Sequence, residues 1–512
     1  MLFLDSKVLR SYVDAPSRIR LFNSLQEREF KPLIRSLRMQ CFNDLLVGSD
    51  KVHQMESAIS SWTESTSDDP FLPGDVFAFN DYLLYVIFDE DDPSRPFVNA
   101  GIVYETNTAE PFRKLDSFCH DLRDLLIANA ESERPGSSTG FPSWENGNRD
   151  LPQGFRTFVE KQDADSLFTS LRKETMSKRI LAASRLEDES ARLFLRTARN
   201  AHQEGYAVKL LSGETRPENI PIERLEDVGL VEREVQVSCR KTGHALFRLP
   251  NADALAVVTV SDATCSECGS AVADENVEEV IAPTQLATSL LEDGSWLVSR
   301  LHYVLRQLGV PEREIAVGPS EGSGAGQMMA NICGESFLIA ARDGDLTPAF
   351  ARSVVDLEIE TEASHLVIVA TGRIHKEAGM LLRNHSRRRL SSGADFEMII
   401  ADDVATSAKE LEAALDRVSQ RIIADQLCIL DNSIGMSVSR LVLTKFQLLQ
   451  SATKEEAEVR VDTDHQWEVP TTVLTLAAAA SAETATVFDV EPDPIVVPPE
   501  MPQGEMNAGT WE

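Results

Sequence analysis

Four side chains of the kinds that bind metal ions stand close together in the sequence: Cys239, His244, Cys265 and Cys268. The later pair, Cys265-Ser-Glu-Cys268-Gly269, has the spacing at which two thiolates can hold one tetrahedral ion, and the glycine lets the backbone turn after the second ligand. Three thiolates and one imidazole fill the four positions that Zn2+ prefers. The sequence therefore predicts a closed, structural zinc site; a partly eroded site that holds no metal is the alternative.

The earlier half of this site is less regular than the later half. Cys239-Arg-Lys-Thr242-Gly243 is similar to the Cys265–Gly269 turn, but Thr242 replaces the second cysteine. This replacement leaves His244 as the fourth ligand, so a complete site depends on that residue. We interpret residues 235–272 as a zinc ribbon.

The chain as a whole is strongly acidic. Its 512 residues carry a formal net charge of -32, with 42% hydrophobic and 26% charged residues. This length corresponds to about three to four domains, each able to bury its own core. An average field of this sign repels nucleic acid, so any contact with phosphates must come from a local basic surface.

The cysteines and the N-terminus bear on the compartment. The seven cysteines are odd in number, and only those at 239–268 cluster, which is not the pattern of a secreted disulfide framework. The first residues, MLFLDSKVLRSY, lack a charged leader followed by a long apolar core, and no run of about 18 apolar residues occurs. We expect a soluble, cytoplasmic protein without membrane association.

Residues 1–130 predict an α+β domain. Helical spacing of apolar residues continues to about residue 68, and two strand-like runs follow at 76–88 and 96–106. Residues 131–154 are rich in Gly, Pro, Ser and Asn, which predicts a linker. The residues of this domain indicate no particular function, and a docking or structural role is the simplest interpretation.

Residues 155–250 combine a basic helical region with a strand-rich end. Nine Lys or Arg residues against five acids fall between 172 and 209, so the local charge is reversed. The following order, a short helix in IPIERLEDVGLV and then the strand-like runs EREVQVSC and HALFRLP, resembles a winged helix-turn-helix whose wing carries the zinc ribbon. That resemblance implies contact with nucleic acid. Protein contact is the alternative, because the short helix carries Glu223, Glu226 and Asp227.

Residues 275–400 resemble the PD-(D/E)xK restriction-endonuclease-like fold. An acidic linker, DENVEEV, and two helical patterns precede strand-like segments at 313–318, 326–334 and 335–342. A helix in TPAFARSVVDLEIETE and a buried strand in SHLVIVATG follow. Strand, strand, helix, strand is the order in the core of that fold.

The resemblance does not extend to the catalytic motif. Enzymes of this superfamily place two carboxylates that hold Mg2+ and one lysine on adjacent strands. Here Ala340 occupies the position of the second carboxylate, Arg342 that of the lysine, and Gln327 lies in the strand that should carry the first acid. The resemblance therefore implies a pseudo-enzyme. An active nuclease would need relocated acids, for which three residues are the weak candidates: Glu335, Asp343 and Asp345.

The C-terminal part divides into helices and a tail. Residues 401–450 predict amphipathic helices, and residues 451–512 are acidic, rich in Ala, Thr and then Pro, and predicted to be disordered. Side chains that could contact phosphates lie in the basic helical region and in the run RNHSRRRL, and are predicted from charge alone: Arg192, Arg196, Arg199, Lys209, Arg387, Arg388 and Arg389.

The sequence thus predicts an α+β multidomain protein: a winged helix with a zinc ribbon, followed by an α/β restriction-endonuclease-like domain. The resemblances imply a non-catalytic adaptor or regulator that acts with nucleic acid, as in prokaryotic defence or DNA transactions, with double-stranded DNA, protein subunits or both as partners. Two alternatives remain open. One is a scaffold subunit that does not bind DNA, and the other is a metal-dependent nuclease with relocated acids.

Overall fold

A computed structural model describes most of the chain. The described residues are 1–47, 51–63, 72–89, 97–133, 143–147, 152–160, 176–203, 208–209, 222–243, 245–250, 253–254, 264–271, 276–292, 294–318, 324–431 and 437–449. The named elements belong to one compact unit, Met1–Phe446. The predicted disordered tail, 451–512, lies outside the described residues. Among the described residues, no helix is both long enough and apolar enough to cross a membrane.

The N-terminal part is a mixed α and β region built on a five-stranded sheet with strand order β2-β3-β4-β1-β5. Its elements, in chain order, are β1 (Leu2–Leu9), α1 (Ala15–Glu27), α2 (Leu33–Leu45), α3 (Val52–Thr63), β2 (Gly74–Ala78), β3 (Tyr82–Asp89), β4 (Phe97–Glu105), α4 (Pro111–Glu133) and β5 (Glu145–Asn146).

Two local predictions for this region were wrong. Leu2–Leu9 forms a strand rather than a helix, because its apolar residues pair antiparallel with β4 and are buried within the sheet. The run 76–88 is not a single strand but falls in the β2–β3 hairpin. The run 96–106 matches β4, so that strand was predicted correctly.

A buried ionic network holds α2 in place. Pro32 precedes α2 and offers no capping side chain, and Asp75 of β2 accepts the free N–H groups of Ile34 and Arg35, both at 2.8 Å, instead. The Arg35 guanidinium, only 1% exposed, pairs with Glu56 at 2.8 Å. Burial raises the pKa of Asp75 to about 6, although the backbone donors oppose that shift.

The middle part begins with three helices. Helix α5 (Gln153–Glu160) packs on the third sheet, described below, and Gly154 is required there because a Cβ would lie 1.7 Å from the carbonyl oxygen of Thr361. Helices α6 (Met176–Arg185) and α7 (Glu189–Gln203) follow. Both contribute buried residues to one hydrophobic core that extends from Ala182 to Val418.

The predicted metal site lies next to a four-stranded sheet with order β6-β9-β7-β8, because Cys239 directly follows β7. Its elements are β6 (Val208–Lys209), α8 (Ile222–Asp227), β7 (Val231–Ser238), β8 (Ala245–Leu249) and β9 (Asn276–Pro283). Strand β8 pairs with β7 as the predicted wing requires, but β7 also pairs with β9 along its whole length. The prediction that the acidic stretch around 276–280 is a linker was therefore wrong: it forms part of β9, in which Val280 and Ile281 are buried and Glu279 is exposed.

The third part contains a five-stranded sheet with order β10-β11-β12-β13-β14. Its elements are α9 (Gln285–Glu292), α10 (Ser295–Gln307), β10 (Ile315–Val317), β11 (Ala325–Ile332), β12 (Glu335–Arg342), α11 (Pro348–Thr361), β13 (His365–Ala370), α12 (Lys376–Ser391), β14 (Met398–Ala401) and α13 (Val404–Asp431). Strands β10, β11 and β12 run antiparallel, and β12, β13 and β14 run parallel. The predicted order of strands and helix is confirmed.

The third sheet is covered on both faces. Phe337, Ile339 and Ala341 of β12 face the core shared with α10 and α13, while Leu338 and Ala340 face the core shared with α5, α11 and α12. A strand buried on both faces gives a continuous apolar run in sequence. Asp343 and Asp345 follow β12, so they lie where the carboxyl end of this strand leaves the sheet.

We expect His365, the first residue of β13, to make stability depend on pH. It is fully buried, its Nδ1 accepts the N–H of Glu397 at 3.1 Å, and burial lowers its pKa to about 4, although Glu335 partly opposes the shift. The pKa of histidine in the unfolded chain is about 6.5, so protons bind the unfolded chain more readily than buried His365. The free energy of unfolding is therefore unaffected by this residue above about pH 6.5 and falls as the pH drops from about 6.5 to about 4.

Chemical unfolding at several pH values across that window would measure the effect. The free energy of unfolding should fall with pH in the wild-type protein and fall less in a His365→Gln variant, whose side chain does not titrate. Equal pH dependence in the two proteins would mean that another group is responsible.

Candidate metal centre and the charged groups around the third sheet

Three of the predicted metal ligands lie together. Cys239 follows β7, and Cys265 and Cys268 lie in the short loop 264–271. Their sulfur atoms are all within 4.8 Å of one another, and the Sγ atoms of Cys239 and Cys268 are 3.3 Å apart. Cys239 and Cys265 are buried and Cys268 is partly exposed. The fourth predicted ligand, His244, lies outside the described residues.

The backbone of each turn holds its cysteine in the same way. The N–H of Gly243 donates to the carbonyl oxygen of Cys239 at 2.7 Å, and the N–H of Gly269 donates to that of Cys265 at 2.8 Å. The φ angles of the two glycines are 71° and 68°, a left-handed conformation that side chains disfavour. The second turn is closed further because the N–H of Cys265 donates to the carbonyl oxygen of Ser270 at 2.8 Å.

The surroundings act in opposite directions on two of the thiols. The hydroxyl and backbone N–H of Ser270 lower the pKa of Cys268 to about 7, with a further contribution from Cys239. For Cys239, hydrogen bonding from Thr242 lowers the pKa, but burial and the neighbouring Cys268 raise it, and the net change is upward. A bound cation would favour deprotonation of all three thiols. Three convergent sulfur donors are a set that suits Zn2+ and other soft or borderline ions.

Asp343, a candidate relocated acid, is already fully engaged by protein donors. Its side chain is 2% exposed. It accepts hydrogen bonds from Arg196 at 2.6 Å, from the indole N–H of Trp296 at 2.8 Å and from the hydroxyl of Thr371 at 3.0 Å, and the guanidinium of Arg192 lies 3.7 Å away. These donors surround the carboxylate, so Asp343 joins α7 and α10 to the end of β12.

The three candidate acids do not form one site. Glu335 is the first residue of β12 and Asp343 follows the last, so a strand of eight residues, about 26 Å long, separates them. Asp345 is 51% exposed, accepts the N–H of Arg373 at 2.8 Å and lies 3.6 Å from His375. Glu335 instead lies near Arg421 and His365. No single metal ion can bind Glu335 and Asp343 together.

Two of the predicted phosphate-binding arginines have structural contacts instead. Arg192 is 6% exposed, donates to the carbonyl oxygens of Leu186 and Glu187, and stacks on Trp296 at 4.9 Å. Arg196 is 37% exposed but paired with Asp343. The prediction that Arg192 contacts phosphate from the helix surface is therefore wrong. Arg192 is buried and its charge is balanced by Asp343, which lies far away in sequence.

The other predicted basic residues are placed differently. Arg199 lies on α7 and is half-buried, and Lys209 lies in β6. On α12, Arg387 and Arg388 are exposed, whereas Arg389 lies 3.3 Å from Glu358 and donates to the carbonyl oxygen of Ala363. Among the residues of this set whose side chains the structure describes, Arg387 and Arg388 are exposed, and they are consecutive in α12.

Sequence reasoning also missed the buried acid Glu358. Glu358 of α11 is 1% exposed and bonds to His385 of α12 at 2.9 Å, close to Arg389. The signal was available: Glu358 falls four residues after Val354 and three before Thr361, on the apolar face of α11. An acid in that position needs a buried partner, and the RNHSRRRL run supplies it.

Comparisons with protein-family models, with curated proteins and with solved structures find no match for this chain.

Proposed function

We propose that this chain is a non-catalytic, cytoplasmic adaptor or regulator that binds double-stranded DNA and presents it to protein partners. The observation that carries the proposal is the third sheet: an antiparallel β10-β11-β12 meander followed by parallel β13, with α10 before it and α11 inserted. This arrangement agrees with the restriction-endonuclease-like resemblance. The position of the second metal carboxylate carries Ala340, and the strand that should carry the first acid offers Gln327, Met328 and Met329 instead, so the carboxylate pair that binds Mg2+ is missing.

The middle sheet supports the nucleic-acid part of the proposal. Short α8 precedes β7, and β7 pairs antiparallel with β8, the two strands predicted to form the wing, with the three-cysteine cluster near the end of β7. Helix α8 itself does not favour base reading, because it is acidic and Glu226 pairs with Arg233 at 3.0 Å. We therefore assign the DNA contact to basic side chains elsewhere.

The exposed end of α12 offers such side chains. Arg383, Arg387 and Arg388 are exposed within the last turns of this helix. Guanidinium groups bind phosphate oxygens through two parallel hydrogen bonds, and each phosphate contact releases counterions. The same charges also complement the carboxyl end of the helix dipole, so a measurement must separate the two roles.

We further propose that the ion held by Cys239, Cys265 and Cys268 is Zn2+ and that its role is structural. The thiolate donor set fits that ion, and when bound it would link the end of β7 to loop 264–271. The part of His244 as fourth ligand remains a proposal. Such a link would hold the end of the antiparallel β7–β9 pair.

The salt dependence of duplex binding tests the assignment to α12. For the wild-type chain, the logarithm of the binding constant should fall with the logarithm of salt concentration, by about 0.9 for each phosphate contacted. In an Arg387→Gln, Arg388→Gln variant we expect weaker binding at low salt and a slope smaller by about 2. Fluorescence anisotropy with a labelled duplex would measure both quantities.

A matched control changes net charge equally but elsewhere. Arg10 and Arg113 are strongly exposed, 71% and 82%, and their only recorded ion pairs among the described residues are surface ones. The Arg10→Gln, Arg113→Gln variant should keep the wild-type slope. An equal loss in both variants would indicate a general charge effect and would contradict a binding surface on α12.

The scaffold interpretation is the second candidate. Two observations favour it: the net charge of -32, and the burial of Arg192 against Asp343, which removes one of the predicted phosphate-binding arginines from the surface. It predicts no duplex binding even at about 50 mM salt, where weak non-specific contacts are strongest. That result would reject the adaptor proposal in favour of the scaffold.

A further inference from the structure

Cys239 and Cys268 lie closer together than binding to one metal ion requires. Their Sγ atoms are 3.3 Å apart. Two sulfur ligands of one tetrahedral Zn2+, each about 2.3 Å from the ion, would be separated by about 3.8 Å. Thiols that already touch can form a disulfide without the large backbone movement that distant cysteines need. The pair can therefore undergo a second kind of chemistry besides metal binding.

We propose that Cys239 and Cys268 form a reversible disulfide when a hydroperoxide oxidises Cys268, and that this bond and a bound metal ion exclude each other. The part about the metal ion rests on the proposed metal centre. The disulfide itself does not, because it needs only the two thiols.

The two thiols differ in exposure, and this difference gives them different parts in the reaction. Cys268 is partly exposed in loop 264–271, and its Sγ lies 3.3 Å from the hydroxyl oxygen of Ser270. Cys239 is 1% exposed. Oxidation-sensitive cysteines are accessible to solvent and lie beside a second thiol that resolves the oxidised product. Cys268 therefore reacts with the hydroperoxide, and Cys239 is the resolving thiol.

Cys265 is the other thiol near Cys268, since the three sulfur atoms are all within 4.8 Å of one another. The backbone of Cys265 is fixed in its turn, because its N–H donates to Ser270 and its carbonyl oxygen accepts from Gly269, both at 2.8 Å. A bond between Cys265 and Cys268 would have to close a small ring within this fixed turn. Cys239 comes from the end of β7, a separate segment, so its bond to Cys268 has no such restriction.

The reaction balances with the hydroperoxide, ROOH, as the oxidant. The sulfur of Cys268 attacks the outer oxygen, so an S–O bond forms, the O–O bond breaks and the alcohol ROH leaves with the thiol proton. The sulfur of Cys239 then attacks the sulfenic acid, so the S–S bond forms, the S–O bond breaks and water leaves with the second thiol proton. The two thiols together lose two electrons. A dithiol reverses the change by thiol–disulfide exchange.

The disulfide changes what the three-cysteine cluster can bind. Metal ions bind thiolates, and the bridge removes two of the three thiolates that the cluster offers. Oxidation therefore releases a bound ion. The end of β7 stays linked to loop 264–271, now through a covalent bond.

Thiol counting and peptide mapping test the proposal on the full-length, reduced protein, first freed of metal by a chelator. After one equivalent of hydrogen peroxide, the number of alkylatable thiols should fall by two of the seven. A digest should contain the peptides of Cys239 and Cys268 joined together, with Cys265 alkylated. Dithiothreitol should restore both thiols. Protein loaded with Zn2+ should release the ion to a coloured indicator in step with disulfide formation.

Three single substitutions separate the disulfide from the metal centre. A Cys239→Ser variant should lose the disulfide and accumulate sulfenic acid on Cys268, which a 1,3-diketone reagent labels. A Cys265→Ser variant should still form the disulfide, although it has lost one of the proposed metal ligands. A Cys428→Ser variant, which lacks an exposed cysteine outside the cluster, should behave like the wild-type protein.

Several results would overturn the proposal: a Cys265–Cys268 bond, a Cys268 that stays unbridged, or oxidation confined to the exposed Cys41 and Cys428. The two proposals about this cluster can fail separately. Disulfide formation in a protein that binds no Zn2+ would contradict the metal centre and support the disulfide. Zn2+ binding without disulfide formation would contradict the disulfide and leave the metal centre intact.

Discussion

Replacing Asp343 by alanine is expected to lower the free energy of unfolding by about 3–5 kcal/mol. The change leaves the buried guanidinium of Arg192 without its counter-charge and the indole N–H of Trp296 without its acceptor, and an unpaired buried charge is among the most costly defects in a protein. Arg196 would lose its 2.6 Å partner as well. Chemical denaturation of the wild-type and variant proteins, followed by circular dichroism, would measure the difference.

Asp345 provides the matched control two residues away. It is 51% exposed, and its ion pair with His375 is equally exposed, so Asp345→Ala should change the unfolding free energy by less than about 1 kcal/mol. Similar destabilisation by the two substitutions would contradict the description of Asp343 as the buried anchor. The comparison also bears on the nuclease alternative. That alternative needs Asp343 and Asp345 to bind a metal ion, whereas Asp343 is paired with Arg192 and Arg196.

Replacing Cys265 by serine is expected to have the second large effect, on metal binding. Loss of one of three thiolates should weaken binding of Zn2+ by more than about 100-fold, because changes of ligand orientation alone cost up to about that factor. Isothermal titration of the reduced protein with Zn2+ would measure the affinity. Hydrogen exchange would report the consequence for the fold, with faster exchange at the end of β7 nearest Cys239 than in β12.

Cys428 provides the control for that experiment. It is an exposed, free cysteine on α13, and it does not belong to the three-thiol cluster. Cys428→Ser should leave Zn2+ affinity and exchange unchanged. If Cys265→Ser binds Zn2+ as tightly as the wild-type protein does, the three thiols do not form the metal site and the eroded-site alternative is correct.

Much of the third sheet could be predicted from sequence because its strands are buried on both faces. The run from Phe337 to Ala341 is continuously apolar, and helix-forming periodicity follows it in α11. The closeness of Cys265 and Cys268 was predictable for a different reason, since their spacing is a local property of the chain. His244 is the part of the metal-site prediction on which the described residues are silent.

What could not be predicted depends on contacts between distant segments. Strand β9 has no continuous apolar pattern, because only its last four residues are buried and its first half contains glutamates. Strand β1 forms because it pairs with β4, which is far away in sequence. The basic excess between 172 and 209 suggested a phosphate-binding surface. Two of its buried members contact distant parts of the chain instead. Arg179 donates to the hydroxyl of Ser295 and Arg192 pairs with Asp343, and no local pattern in α6 or α7 could indicate these contacts.

The most direct test of the proposed function is duplex binding by the whole wild-type chain, measured by anisotropy between about 50 and 200 mM salt with Mg2+ present. The adaptor proposal predicts binding that weakens steeply with salt and a duplex that is recovered uncut. Absence of binding at the lowest salt, or cutting of the duplex that is lost in an Asp345→Asn variant, would contradict it.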